Sequence, residues 1–462
     1  MSGETVTPAA KASERPGHAP ALRHRDVLAI AIPIILANVT TPLIGIVDTA
    51  VLGQLGDPFY IGAVAFGGVI FSLVYWAFGF LRMGTTGLTA QARGSGDETE
   101  VAASLARALL IAGAGGLALI ALQQPIGLAS FELVEGSEAV ETGAKAYFDI
   151  RIWGAPAALA NYALFGWFIG RGEARIVLAL TLLLNGINVV LDAFFVMGLG
   201  MGVAGVALGT LIAEVVAALV GLMLAMQAIA RAGVKLTPKQ TLDRRQLIRV
   251  FNVNADIMIR TLCLVFAFAW FAAKSAEAGD LVLAANAVLI NFLTFSSYLL
   301  DGFAFSAETL VGQAVGADRK PRFRQAVRLT SVWAVVLGGG LSLIYWFAGG
   351  FFIDILTVNP EVRTLARAFL LWVALAPITG VACFQLDGIF IGATRTADMR
   401  NMMILSLGFY LAAWWVLTPE YGNYGLWGAL ILFFIVRALT LGSRFPALER
   451  ASFPGQSQPK PA

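Results

Sequence analysis

"LLLNGINVVLDAFF" occupies residues 182–195, inside an apolar run, yet it carries Asn185, Asn188 and Asp192. The surrounding run, about 176–198, is long enough to cross a bilayer, which takes ~20 mostly apolar residues. An acid at the bilayer centre costs at least ~2.5–3.5 kcal/mol on insertion scales, so it needs a partner, a water-filled cavity or a proton. At about 100° per residue the three side chains fall at roughly 0°, 300° and 340°, on one face of a helix. The segment therefore reads as a transmembrane helix with a polar face turned toward other protein.

The whole chain has the same character. Of 462 residues, 58% are hydrophobic and 13% charged, with a mean hydropathy of +0.77, whereas soluble domains are nearer a quarter charged. Twelve apolar runs follow one another at roughly 27–52, 61–85, 102–122, 144–170, 176–198, 203–230, 247–273, 281–312, 325–347, 364–391, 400–417 and 424–442. The expected fold is an all-α polytopic membrane protein.

Basic residues orient it. Arg231, Lys235, Lys239, Arg244, Arg245 and Arg249 follow span six, and Arg319, Lys320, Arg322 and Arg324 follow span eight. Arg93, Arg171, Arg175, Arg395 and Arg400 fall on the same side, opposite the acidic connector with Glu132, Glu135, Glu138 and Glu141. Both termini are expected in the cytoplasm, in a multi-pass protein of the plasma (inner) membrane. Residues 1–26 read as a disordered cytoplasmic tail and 443–462 as a cytoplasmic tail whose end, "FPGQSQPKPA" (453–462), reads as disordered too, with 27–230 and 247–442 as six-helix lobes joined by a basic linker, 231–246.

At an offset of 222, "LTAQARG" (88–94) lies over "LVGQAVG" (310–316) and "WFIG" (167–170) over "IFIG" (389–392). Each half has an even number of spans, so the halves enter the membrane in the same sense, related by an axis along its normal. Two parallel lobes around a central cavity are the expected architecture.

The net charge of +3 is confined to connectors, which argues against a nucleic-acid partner. His18 and His24 are both in the N-terminal tail, and Cys263 and Cys383 lie in distant spans, so histidine or cysteine metal sites are not expected. No GxxxxGK[ST] loop is present for nucleotide.

The acids of the N-terminal half carry the functional reading. Asp48 sits in span one, Thr210 early in span six, and Asn185, Asn188 and Asp192 share a face of span five. Carboxylate, amide and hydroxyl oxygens suit Na⁺, and desolvated carboxyls can carry a proton. Either makes an ion-coupling site, against the alternative of an interhelical hydrogen-bond cluster. At the 222 offset Asp48 falls over Trp270, Asn188 over Tyr410 and Asp192 over Trp414, so the site belongs to the N-terminal half alone. Asn185, Asp256, Asp301 and Glu308 are secondary polar candidates, with Asp256 four residues from Arg260 and open to pairing along the helix. Pro33 is expected to kink span one 15 residues before Asp48 and make it a moving part.

"VDTAVLGQLGDPFYIGAVAFGGVIFSLVYWAFGFLRMGTTGLTAQARG" (47–94) and "YLLDGFAFSAETLVGQAVG" (298–316) resemble the multidrug and toxic compound extrusion (MATE) family, in its DinF branch, over all twelve spans. The resemblance implies an antiporter that exchanges H⁺ or Na⁺ for organic, often cationic, compounds by alternating access. It also implies a cation site at Asp48, Asn188, Asp192 and Thr210, with Pro33 as the bend of span one. Acids on spans seven and ten of another branch match Asp256 and Asp387 only in position, and their roles are not carried over. No enzyme activity and no cofactor beyond the coupling ion are expected, and the molecule is expected to work as a monomer among membrane lipid. The rivals are a lipid or lipid-linked sugar flippase, with Arg82 and Arg260 as central basic residues, and an intramembrane aspartyl protease.

Overall fold

The computed structural model describes residues 21–132 and 137–456. The expected tail over 1–20 with His18, Glu135 of the acidic connector, and residues 457–462 lie outside them. Within a bilayer each span must satisfy its own backbone N–H and C=O groups, and helices do so. Eleven helical segments among the described residues are long and apolar enough to cross a membrane, with no strand among them. A further helix, α1 (His24–Gly53), 30 residues long, supplies the length of a twelfth.

In the first lobe α2 (Pro58–Ala77) and α3 (Phe80–Ser95) form one span interrupted at Phe78 and Gly79. There the backbone tightens to Phe78 N–H···O Tyr75 and Gly79 N–H···O Trp76, both 3.0 Å. After α4 (Glu98–Ala121) and the short α5 (Gln123–Glu132), α6 (Glu138–Arg151) and α7 (Ala155–Arg171) join through a 3₁₀ turn into one span. The lobe closes with α8 (Ala174–Asp192) and α9 (Gly202–Arg231). The linker contains α10 (Pro238–Thr241). The second lobe comprises α11 (Arg244–Glu277), α12 (Asp280–Gly316), α13 (Lys320–Leu356), α14 (Pro360–Gly392), α15 (Thr396–Tyr421) and α16 (Asn423–Ser443). Several helices outrun their apolar stretches because polar residues continue the same helix into the interface.

Three stretches read as tail or linker are held in place. Leu22 exchanges both backbone bonds with the Gln325 amide, at 3.0 and 2.7 Å, and residues 24–26 open α1. At the other end a helix, α17 (Phe445–Ser452), follows α16, with Leu448 and Phe453 fully buried and Phe453 against Phe323. Glu449 anchors it to Arg324 at 2.5 Å. Residues 21–26 and 443–456 are therefore structured, which corrects the tail boundaries at both ends. Arg107, buried on α4, binds Glu100 at 2.6 Å and the carbonyls of Gln240 and Thr241 at 2.8 and 3.1 Å, pinning the linker to the first lobe. Large side chains such as Phe347, Phe351 and Trp415 face outward, as a lipid-facing surface requires, while Trp167 and Trp427 are enclosed.

The duplicated motifs occupy equivalent places. A Cβ on Gly170 would lie 2.6 Å from the Thr86 carbonyl oxygen, and one on Gly392 2.5 Å from that of Glu308; both pairs of positions differ by 222. The other motif brings the lobes together across the pseudo-two-fold. Gly94 packs on the Gln313 carbonyl and Gly316 on the Gln91 carbonyl, each so close that a Cβ would overlap the oxygen. The Gln91 amide then donates to the Gly392 carbonyl at 3.0 Å and the Gln313 amide to that of Gly170 at 3.2 Å. This reciprocal clasp closes the lobes at the end that carries the basic connectors.

Candidate functional site

Asp192 ends α8, where the helix widens into a π-helical turn, Ala193–Gly198, with Leu199 N–H reaching back five residues to Phe194 at 3.1 Å. Such turns re-aim side chains and recur at functional sites. The Asp192 carboxyl adjoins that of Asp48 on α1. Asn188, one turn earlier on α8, donates to the Thr210 hydroxyl on α9 at 3.1 Å, and that hydroxyl donates to the Val206 carbonyl at 2.9 Å. Thr210 thus fixes the Asn188 amide with its oxygen free.

Four buried oxygens have no hydrogen-bond partner among the described residues: Asp48 Oδ1, Asn188 Oδ1, and Asp192 Oδ1 and Oδ2. Unpartnered buried acceptors cost about 1–3 kcal/mol each, and two adjoining carboxylates repel when both are ionised. A hard cation among these oxygens, or a proton shared between the carboxyls, removes both penalties. Carboxylate and amide oxygens of this kind are a donor set that a small hard cation or a proton can use.

Asn185 turns elsewhere on the same face and donates to Thr40 on α1 at 2.8 Å, so it fastens α8 to α1 rather than joining the site. Pro33 is buried in α1, which continues as helix through it. In the second lobe the equivalents of Asp48 and Asp192, Trp270 and Trp414, meet edge to face with ring centroids 4.9 Å apart. The duplicated scaffold brings the same two positions together, and only the first lobe fills them with acids.

Two features of the site carry little signal in the sequence. Gly209 on α9 leaves the space that Asp192 Oδ1 occupies, since a Cβ there would collide with it. Nothing in the Gly- and Ala-rich run of α9 marks that glycine. Gly209→Ala should raise helix propensity by up to ~1 kcal/mol and yet displace the carboxylate. The expected result is a normally folded protein whose melting temperature no longer responds to Na⁺ or pH as the wild type does. Beside the site, Arg151 and Glu214 form a buried two-pronged pair, 2.7 and 2.8 Å, which places a guanidinium in the field of both aspartates. Its only sequence signal was charge at positions 63 residues apart on separate spans.

Between the lobes, adjoining the clasp, lies a cavity of about 550 Å³. Asp301 and Glu308 both line it, as do Trp76, Phe268 and Phe305. Glu308 pairs with Arg82 at 3.2 Å, and Asp387 accepts from both Arg260 and Arg437. The pairing of Asp256 with Arg260 along α11 does not form. Asp256 instead binds Arg400 at 2.5 Å and Thr396 at 2.9 Å, because tertiary partners on α15 outcompete the helical neighbour. Asp48, Asn188 and Asp192 do not line the cavity, but α1 reaches both places: Ile34 and Asn38 face the cavity, and Asn38 donates to the Tyr298 carbonyl of α12 at 3.0 Å.

The MatE family model matches residues 33–194 and 256–414, one segment in each lobe. The chain belongs to the MatE family. DNA damage-inducible protein F of Escherichia coli (strain K12) is 40% identical over 421 residues, 90% of each chain. Protein DETOXIFICATION 44, chloroplastic, of Arabidopsis thaliana is 25% identical over 437 residues, 91% of this chain and 82% of that one. A crystal structure of MATE in the bent conformation matches the fold with a TM-score of 0.84 at 18% identity, covering 93% of this chain and 96% of the other. This MatE protein is a multi-pass membrane transporter with twelve spans in two parallel lobes around a central cavity.

Proposed function

We propose that the protein is a secondary antiporter of the plasma (inner) membrane that exports organic compounds in exchange for H⁺ or Na⁺ by alternating access. The observation that carries this is the set of four unpartnered oxygens on Asp48, Asn188 and Asp192, outside the cavity yet linked to it by α1. Filling the site removes the repulsion between the carboxyls and favours the packing of α1 that accompanies it. Emptying it favours another, and the Asn38 contact with α12 transmits the difference to the cavity wall. Each charge moving inward across 100 mV contributes ~2.3 kcal/mol. The clasp at the basic end is the gate that opens in the opposite state, with both termini cytoplasmic and each monomer carrying a complete pathway. Organic cations are the cargo the resemblance implies. No covalent step is needed.

The test is uptake of a fluorescent organic dye into inside-out vesicles, energised separately by a pH gradient and a Na⁺ gradient, for the wild type and Asp48→Asn. Uptake under one gradient, lost in the variant, is the expected result and names the ion. Undiminished uptake by Asp48→Asn would contradict the proposal.

A further inference from the structure

The acids of the central cavity are mostly taken up by arginine. Two of its three acids are already engaged by arginine: Glu308 by Arg82, and Asp387 by Arg260 and Arg437 together. The second cluster holds two guanidinium groups against one carboxylate, and over the whole lining three arginines face three acids, with Asp301 the acid that makes no ion pair among the described residues. The guanidinium groups are also short of acceptors. Arg260, 6% exposed, has Nε without a partner, and Arg82 has Nη2 without one, among the described residues. Arg82 is held in place by stacking 3.6 Å above the centre of the Phe305 ring. Planar guanidinium groups bind carboxylate, sulfonate and phosphate oxygens through paired N–H donors. Around them the wall is apolar and aromatic, with Trp76, Phe268 and Phe384.

We infer that this cavity binds amphipathic organic compounds through an anionic headgroup received by Arg260 and Arg82, with the apolar body against the aromatic wall. The headgroup supplies the acceptors that both arginines lack. Asp301, which makes no ion pair among the described residues, then sits where a cationic substituent on the same molecule is tolerated. This inference rests on the exporter reading for the cavity's role, but binding to the purified protein can be measured without transport.

The probes are a rhodamine free acid and its methyl ester, which share one ring system and differ in the carboxylate. Fluorescence anisotropy with the purified full-length protein should give at least tenfold tighter binding of the acid. Arg260→Gln keeps the Asp387–Arg437 pair and should weaken the acid about tenfold while leaving the ester unchanged. Arg82→Gln combined with Glu308→Gln removes that pair without stranding a buried acid and should act in the same direction. Equal or tighter binding of the ester, or acid binding indifferent to both variants, would overturn the inference, as would failure of the acid to bind. Displacement of the acid by phosphatidylglycerol in mixed micelles would assign the site to a lipid headgroup. Resistance to it would assign the site to soluble acids, and both results support the anion requirement. Arginine-dependent binding without gradient-driven export would leave this inference standing and count against the exporter reading alone.

Discussion

Asp192→Asn is expected to reduce gradient-driven export to the level of protein-free vesicles, while the purified variant melts at or above the wild-type temperature. The two halves of this expectation have one cause. Asp192 is fully buried, with both carboxyl oxygens unpartnered and the Asp48 carboxyl beside it. Asparagine has nearly the same shape and can donate to Asp48, so the like-charge contact becomes a hydrogen bond and the fold loses nothing. The site loses one of its two charges and the ability to share a proton between carboxyls, so neither ion can drive the cycle. A variant that fails to export because it misfolds would lose thermal stability as well, and differential scanning fluorimetry in detergent separates the two outcomes.

The second large effect is expected at the clasp. Gly94 and Gly316 each meet the carbonyl of a glutamine in the other lobe with no room for a Cβ. Overpacking of this kind costs about 1–3 kcal/mol, enough to shift a two-state equilibrium about 5–150-fold. Gly316→Val should hold the lobes apart at the basic end. Transport should fall to background, and spin labels on the turns after α3 and α12 should move to longer distances. Because the contact is reciprocal about the pseudo-two-fold, Gly94→Val should have the same effect. Unequal effects of the two variants, or unchanged label distances, would show that the seam is not the gate.

The fold was legible because its main signals are local. Apolar length, the side on which Lys and Arg fall, and the 222-residue offset are all properties of the chain read in order, and the reciprocal packing of Gly94 and Gly316 follows the same offset. Asp48, Asn188 and Asp192 stood out because each is costly in a membrane without a purpose. Pairing between distant helices was not legible. Asp256 looked matched to Arg260 at helical spacing, yet its partners come from α15, and Arg260 turns to Asp387 on α14. Gly209 is informative only once Asp192 is seen to fill the space beside it. Likewise Leu22 and Leu448 sit in short polar segments whose burial depends on α13 and on neighbours far away in sequence.

If ions passing through the Asp48–Asp192 pair drive export, their number per molecule exported is fixed, and counting them is the decisive measurement. In proteoliposomes, export of dye and entry of H⁺ or Na⁺ can be recorded together with indicators on the two sides of the membrane. The expected result is a fixed ratio of ion to dye in the wild type and the loss of both fluxes together in Asp192→Asn. Dye export by Asp192→Asn with the same ion entry as the wild type would contradict it.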